Sequence, residues 1–213
     1  MNIAVINEVS ARSKNPDIVS ALKALGRSDL NIINAGMTEK EGEPELTYVN
    51  TGFYAALLLN TRRVDFVIGG CGTGQGFLNS VMQYPNVFCG LVTKPLDAWL
   101  FPQINAGNAV SLALNQGYGW AGEMDLRFIF EKLFSVTHGC GYPAHRANSQ
   151  AESRKMLEKI NMISHCNFAD IVRNIDDRVI HPVMKFPGSL ELIRIDSIED
   201  ERIKEALKRR AND

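Results

Sequence analysis

Short β-branched runs alternate with amphipathic stretches through the first two-thirds of the chain. Residues 2–6 (Asn2-Ile3-Ala4-Val5-Ile6) read as a strand. Residues 15–25 put Ile18, Val19, Leu22 and Leu25 on one helical face. Asn31-Ile32-Ile33-Asn34 is a short strand, and residues 46–60 a second helix with Val49, Phe53, Ala56 and Leu57 at helical spacing. Residues 64–68 read as a strand closed by Gly69-Gly70. A third helix starts near Gly74 and ends before Pro85. A strand over 87–92, a helix over 95–104, a strand over 109–113 and a helix over 122–134 follow.

This alternation predicts an α/β fold, a five-stranded parallel sheet with helices on both faces and right-handed crossovers. Ligands in such sheets sit at the carboxyl ends of strands, near a topological switch point. The loops after residues 6, 34, 68, 92 and 113 are therefore the places to look. The pattern changes after residue 135. Residues 135–149 read as a loop, 150–163 as a polar helix, and 198–210 as a charged terminal helix. Leu190-Glu191-Leu192-Ile193-Arg194-Ile195 alternates like a strand. The expected division is a domain over 1–147 and a helical extension over 148–213 that strengthens a dimer or covers the site.

Composition narrows the function classes. The formal charge of −1 over 213 residues removes the simplest argument for a nucleic-acid or anionic-membrane partner. No apolar run approaches the roughly 20 residues needed to span a bilayer, and the amino end lacks the positive start of a signal peptide. The expected location is cytoplasmic. Cys71, Cys89, Cys140 and Cys166 form no CxxC pair, so neither a disulfide framework nor a zinc site is expected.

The segment Gly69-Gly70-Cys71-Gly72-Thr73-Gly74-Gln75-Gly76 follows a strongly apolar run and precedes a helix. Glycines let the backbone approach a ligand closely, and convergent N–H groups with a helix N-terminus make an anion site. A dinucleotide fingerprint fits poorly, because the spacing is GxGxG and not GxGxxG. A P-loop fails for want of GK[ST]. The remaining reading is an active-site turn presenting Cys71, whose thiol beside amide dipoles becomes a usable base or nucleophile.

At this turn the sequence resembles the ribose-5-phosphate isomerase B and galactose-6-phosphate isomerase family. The likeness spans roughly residues 2–146. It rests on Asn2-Ile3-Ala4-Val5, the turn Cys71 to Gly76, and Asn105-Ala106-Gly107-Asn108-Ala109-Val110. The resemblance implies a Rossmann-like αβα sandwich. It implies a homodimer or homotetramer with sites at the subunit interface. It also implies aldose–ketose isomerisation through an enediolate, without metal or nucleotide cofactor. Cys71 would then shuttle the proton between C1 and C2, and Thr73 would orient the sugar. The amides of Gly72, Gly74 and Gly76 would hold the oxyanion, and Asn105 would bind a substrate oxygen.

Departures from the family pattern bear on the substrate. Glu8-Val9 stands where phosphopentose members carry Asp-His, and Ile104 where they carry a ring-opening His. No clear phosphate-binding Arg follows Asn108. A phosphate dianion would be poorly held, and an open-chain substrate needs no ring opening. The start Asn7-Glu8-Val9-Ser10-Ala11-Arg12-Ser13-Lys14-Asn15 is similar to the family's branch acting on 4-deoxy-L-threo-5-hexosulose uronate. That uronate is the favoured substrate; a phosphosugar, or a non-catalytic sugar-acid-binding role, is the alternative. Glu8 joins Cys71 and Thr73 as expected catalytic groups. Asn7, Ser10, Arg12, Tyr48, Gln75, Asn108 and Arg146 are the further binding candidates. His138, His165 and His181 read as structural.

Overall fold

A computed structural model describes residues 1–212. Five parallel strands make one sheet: β1 (Asn2–Asn7), β2 (Asn31–Asn34), β3 (Phe66–Cys71), β4 (Cys89–Val92) and β5 (Ala109–Ala113), in the order β2-β1-β3-β5-β4. Ten α-helices, α1 (Asn15–Lys23), α2 (Tyr48–Asn60), α3 (Gln75–Val81), α4 (Pro95–Ile104), α5 (Gly122–Leu133), α6 (Ala147–Ser164), α7 (Phe168–Asn174), α8 (Asp177–Met184), α9 (Ser189–Ile193) and α10 (Glu201–Asn212), surround it. This is the Rossmann-like αβα arrangement that the alternation predicts.

Strand residues point alternately to the two faces. Ile3, Val5, Phe66, Ile68, Val110 and Leu112 pack with α1, α4 and α5. Ala4, Ile6, Val67 and Ala109 pack with α2 and α3 on the other face. The order of winding reverses at β1, which pairs β2 in parallel on one side and β3 in parallel on the other. The switch point therefore lies between the carboxyl ends of β1 and β3, and there the loop Glu8–Ser10 meets the glycine turn.

Two readings of single elements change. The third strand does not close at Gly69-Gly70 but runs on to Cys71, because pairing continues on both flanks (Asn7 with Gly70, Cys71 with Ala113). Residues 190–195 are not a strand. They form α9 and a short 3-10 turn, with Ile193 buried, Leu190 exposed and no strand alongside. Arg63 fixes that turn from α2's end, donating to the carbonyls of Ile193 at 2.7 Å and Arg194 at 3.1 Å.

The extension packs on the sheet domain within the same chain. Helix α2 is apolar all round, and every residue from Asn50 to Leu58 is buried. Such a helix needs cover on its outer side as well as its inner side. Helices α7 to α10 supply that cover within the same chain. Phe168 stacks on Phe53 with ring centroids 6.2 Å apart, and Asn50 Nδ2 donates to the carbonyls of Arg178 and Val179. Val172, Ile180, Val183, Ile203 and Leu207 join the same apolar cluster as Phe53 and Leu57. The boundary at residue 147 thus crosses one continuous core. Helix α6 behaves differently: Met156, Leu157, Ile160, Met162 and Ile163 are exposed along it.

Candidate active site

Cys71 ends β3 and is buried. Its backbone carbonyl accepts from Leu114 N–H at 3.0 Å, so β5 holds it on one side while β1 holds Gly70 on the other. The turn beyond it is clamped from three directions. Ser111 Oγ, fully buried on β5, donates to Gly74 O at 2.6 Å. Asn115 and Gln116 N–H donate to Gly72 O at 2.9 and 3.0 Å. Gly72 N–H donates to Ser10 Oγ at 3.2 Å. Gly74 has φ +75°, a backbone conformation that L side chains rarely take. At Gly76 a Cβ would lie 2.9 Å from the Tyr48 ring, so the missing side chain is what lets Tyr48 lie over the turn.

Thr73 and Gln75 are exposed, and Thr73 Oγ1 accepts from Gln75 N–H at 3.3 Å. The N–H groups of Thr73, Gly74 and Gly76 find no acceptor among the described residues. They are the free donors of the turn. The N–H of Gly72 is not among them, because it donates to Ser10 Oγ. The anion site also owes little to a helix dipole, since α3 has only seven residues.

Glu8 lies at the N-cap of the 3-10 helix Val9–Lys14 and is buried. Its Oε2 accepts from Ser10 N–H at 3.1 Å, and its Oε1 accepts from Ser10 Oγ. Both carboxylate oxygens are thus directed to Ser10 and none to the open edge. Glu8 thus caps the 3-10 helix with its carboxylate engaged on Ser10. Ser10 is exposed, and Asn115 Nδ2 holds its carbonyl at 2.9 Å.

The amide of Asn7 is engaged within the fold. It is buried, Nδ2 donates to Met37 O at 2.9 Å, and Oδ1 accepts from Asn15 Nδ2 at 2.7 Å. Asn15 and Asn34 exchange two further amide bonds at 2.8 Å each. This carboxamide cluster ties β1, β2 and α1 together beneath the Glu8–Ser10 loop. Arg12 is exposed at the same sheet edge. Lys14 lies with Nζ 4.6 Å from the centre of the Tyr118 ring. Tyr118 Oη donates to Asp17 at 2.6 Å, and burial together with that carboxylate pushes its phenol above the usual range.

Asn105, Asn108 and Arg146 are not brought to the turn within one chain. Asn105 and Asn108 precede β5, at the opposite end of the strands from Cys71. Asn108 is consumed there: Oδ1 accepts from Phe88 N–H at 2.9 Å and Nδ2 donates to Asn86 O at 2.7 Å. It shapes the entry to β4. Asn105 is exposed beside Ala106, Arg154 and Leu157. Arg146 starts α6, with Nε on Ser149 Oγ at 3.3 Å. Ile104 ends α4 at this far edge, and Val9 packs partly against the core.

Two residues of the site escaped the sequence reading. Ser111 and Asn115 carry no motif. The signal for Asn115 was its place just after β5, at the sheet edge where ligands bind; for Ser111 there was only a hydroxyl inside an apolar strand. Cys89 is not a competing base, since it opens β4 at the far edge and burial pushes its thiol up. His138 stands edge-on to Phe66, and burial holds its imidazole below the ordinary value. Among the described residues no group of three or more His, Cys, Asp or Glu could hold a metal ion, and no helix is long and apolar enough to cross a membrane.

Residues 3–133 match the family model described as Ribose/Galactose Isomerase. The chain belongs to the ribose/galactose isomerase family. As a member of that family it is a sugar isomerase. Two solved structures match it over essentially the whole length. One, a 4-deoxy-L-threo-5-hexosulose-uronate ketol-isomerase complexed with a tartrate, is 37% identical, covers 100% of both chains and has a TM-score of 0.94. The other, a ribose-5-phosphate isomerase from Vibrio parahaemolyticus, is 38% identical, covers 99% of both and has a TM-score of 0.92. A type B ribose 5-phosphate isomerase from Leishmania infantum shares the fold at 15% identity, with a TM-score of 0.62 over 76% of this chain and 97% of its own. No curated protein matches the chain significantly in sequence. Two relatives thus match this chain over essentially its full length, extension included, whereas the Leishmania infantum enzyme matches about three quarters of the chain.

Proposed function

We propose that this isomerase converts an open-chain, unphosphorylated uronate, 4-deoxy-L-threo-5-hexosulose uronate, from aldose to ketose through an enediolate, with Cys71 as the carbon base. The two full-length relatives carry different substrate names at nearly equal identity, so identity does not choose between them. The carrying observation is what stands on the loop after β1 and at the end of α4. Val9 offers an apolar side chain, and Ile104 closes a helix at the far edge, where phosphopentose members of the family place histidines. Arg12 and Lys14 are the cations on the loop after β1. A carboxylate is satisfied by one bidentate guanidinium, whereas a phosphate dianion calls for several donors. The tartrate held by the uronate ketol-isomerase, a hydroxylated acid without phosphate, supports the same choice.

In this reading Cys71 removes the proton from the hydroxyl-bearing carbon next to the aldehyde. The free N–H groups of Thr73, Gly74 and Gly76 meet the enediolate oxygen as charge develops. The test is side-by-side turnover of the uronate and ribose 5-phosphate. The expected kcat/KM favours the uronate by at least 100-fold, and a preference for ribose 5-phosphate sinks the assignment.

We further propose that a second copy of the chain completes each site by bringing Asn105 and Arg146 over the other copy's turn. Within one chain the turn stands open, and the exposed apolar residues of α6 supply a face for self-association. Mixing Cys71→Ala protein with Asn105→Ala/Arg146→Ala protein under exchange conditions should restore up to about a quarter of wild-type turnover. That fraction is what random pairing of two singly defective sets of sites predicts. No recovery in a demonstrably mixed dimer overturns the shared site.

A further inference from the structure

Resting on the isomerase reading, we propose that Ser10 is the second acid–base group of the reaction, the one that moves the oxygen-bound proton. An aldose–ketose conversion relocates two protons. One passes from carbon to carbon, and Cys71 serves it. The other passes from the hydroxyl oxygen to the former carbonyl oxygen, and a thiol committed to carbon cannot serve both at once.

The geometry around Ser10 is that of a prepared exchanger. A serine hydroxyl has one proton and two lone pairs. The proton goes to Glu8 Oε1, and one lone pair accepts Gly72 N–H at 3.2 Å. No described group takes the second lone pair; Ser10 is exposed, and its Oγ meets the N–H of Gly72, the residue that follows Cys71. The rest of Ser10 is immobilised: its N–H donates to Glu8 Oε2 at 3.1 Å and its carbonyl accepts from Asn115 Nδ2 at 2.9 Å. Glu8 is only 4% exposed, so its charge reaches the edge through this hydroxyl.

The step balances without any further reactant. After Cys71 takes the carbon proton, the C–H electron pair becomes the C=C bond and the carbonyl π pair becomes a lone pair on its oxygen. Ser10 then gives its proton to that oxyanion while its free lone pair takes the proton of the neighbouring enediol hydroxyl. Two O–H bonds break and two form, and Ser10 ends neutral. Glu8 remains a carboxylate throughout and draws the new hydroxyl proton back into line. Collapse of the second oxygen to a carbonyl returns the Cys71 proton to the other carbon. Glu8 is therefore a positioning residue and Ser10 the catalytic one.

This assignment separates two rates that a mere binding role would keep together. In D2O, with the deoxy-hexosulose uronate as probe, proton NMR follows both ketose formation and deuterium entry at the aldose carbon that Cys71 deprotonates. Ser10→Ala should cut ketose formation about 100-fold or more, while exchange at that carbon falls less than tenfold. The exchange-to-turnover ratio then rises at least tenfold. Ser10→Thr, which keeps the hydroxyl, should return the ratio to within a few-fold of wild type. Glu8→Gln should shift it in the Ser10→Ala direction by a smaller factor. If both rates fall in parallel in Ser10→Ala, or neither falls, the proposal is overturned. If wild-type protein neither isomerises nor exchanges the uronate, the isomerase reading of this substrate fails first and takes the proposal with it.

Discussion

Replacing Cys71 with alanine should lower kcat on the preferred sugar by roughly 10²–10⁴-fold, the range for loss of a general base, with KM changed less than threefold. The split follows from timing. In the proposed mechanism the sulfur touches the transferring proton in the transition state and contributes little to holding the ground-state substrate, so its loss should appear in kcat. Folding should survive, because the turn is held by backbone partners that the substitution leaves alone: Leu114 N–H on Cys71 O, Ser111 on Gly74 O, Asn115 on Gly72 O. The sulfur is a small part of a buried cluster, and losing it costs about 1 kcal/mol on the scale of one buried methylene. Cys71→Ser is the sharper variant. It keeps the shape but offers a hydroxyl far too weakly acidic to be a base near neutrality, and it should be as slow as alanine. Steady-state kinetics beside a thermal melt decide the matter. Turnover within a few-fold of wild type in a folded Cys71→Ala protein removes the thiol from the mechanism.

The largest expected effect on stability lies far from the chemistry. Phe168→Ala should destabilise the protein by about 3–5 kcal/mol, as large-to-small changes at buried aromatics do. Phe168 is 4% exposed and packs on Phe53 and Tyr84, with centroids 6.2 and 6.4 Å away. It is the first residue of α7 and the point where the extension keys into α2. At roughly 2–4 °C per kcal/mol for a domain of this size, the midpoint should drop by on the order of 10 °C. The form of the transition is as informative as its midpoint. One core predicts a single cooperative melt that moves as a unit. Two transitions, only one of them shifted, would show that residues 148–213 fold apart from the sheet. Turnover per folded molecule at 25 °C should stay within twofold of wild type, since the ring partners of Phe168 are Phe53 and Tyr84.

The sheet was legible along the chain because its signals are local. Alternating strand and helix periods follow from side-chain direction within each element, and a parallel sheet follows from the alternation. The helices over 95–104 and the strand over 109–113 need nothing beyond their own residues to be recognised. The glycine turn was legible for a related reason: backbone freedom and a thiol at the end of an apolar strand are written in consecutive positions. The same local logic failed at residues 190–195. There an alternating pattern met no neighbouring strand, and Arg63 held the backbone in a turn instead.

The roles of polar side chains were the harder part, and the difference is physical. A residue type states what a group can donate or accept; only its neighbours state whether that capacity is already used. Asn7 and Asn108 looked like ligands for substrate and are spent on Met37, Asn15, Phe88 and Asn86. Glu8 looked like a group facing substrate and is aimed at Ser10. Asn115 lay outside every motif and clamps both loops of the site. The chain by itself determined the αβα sheet, the placing of Cys71 in a glycine turn and the family, because each depends on neighbours in sequence. The tertiary structure alone decided which amides of that turn remain free and which hydroxyl meets the N–H of Gly72. It also decided that the last fifty residues close the core over α2. Those outcomes depend on groups distant along the chain that meet only when the strands are in register.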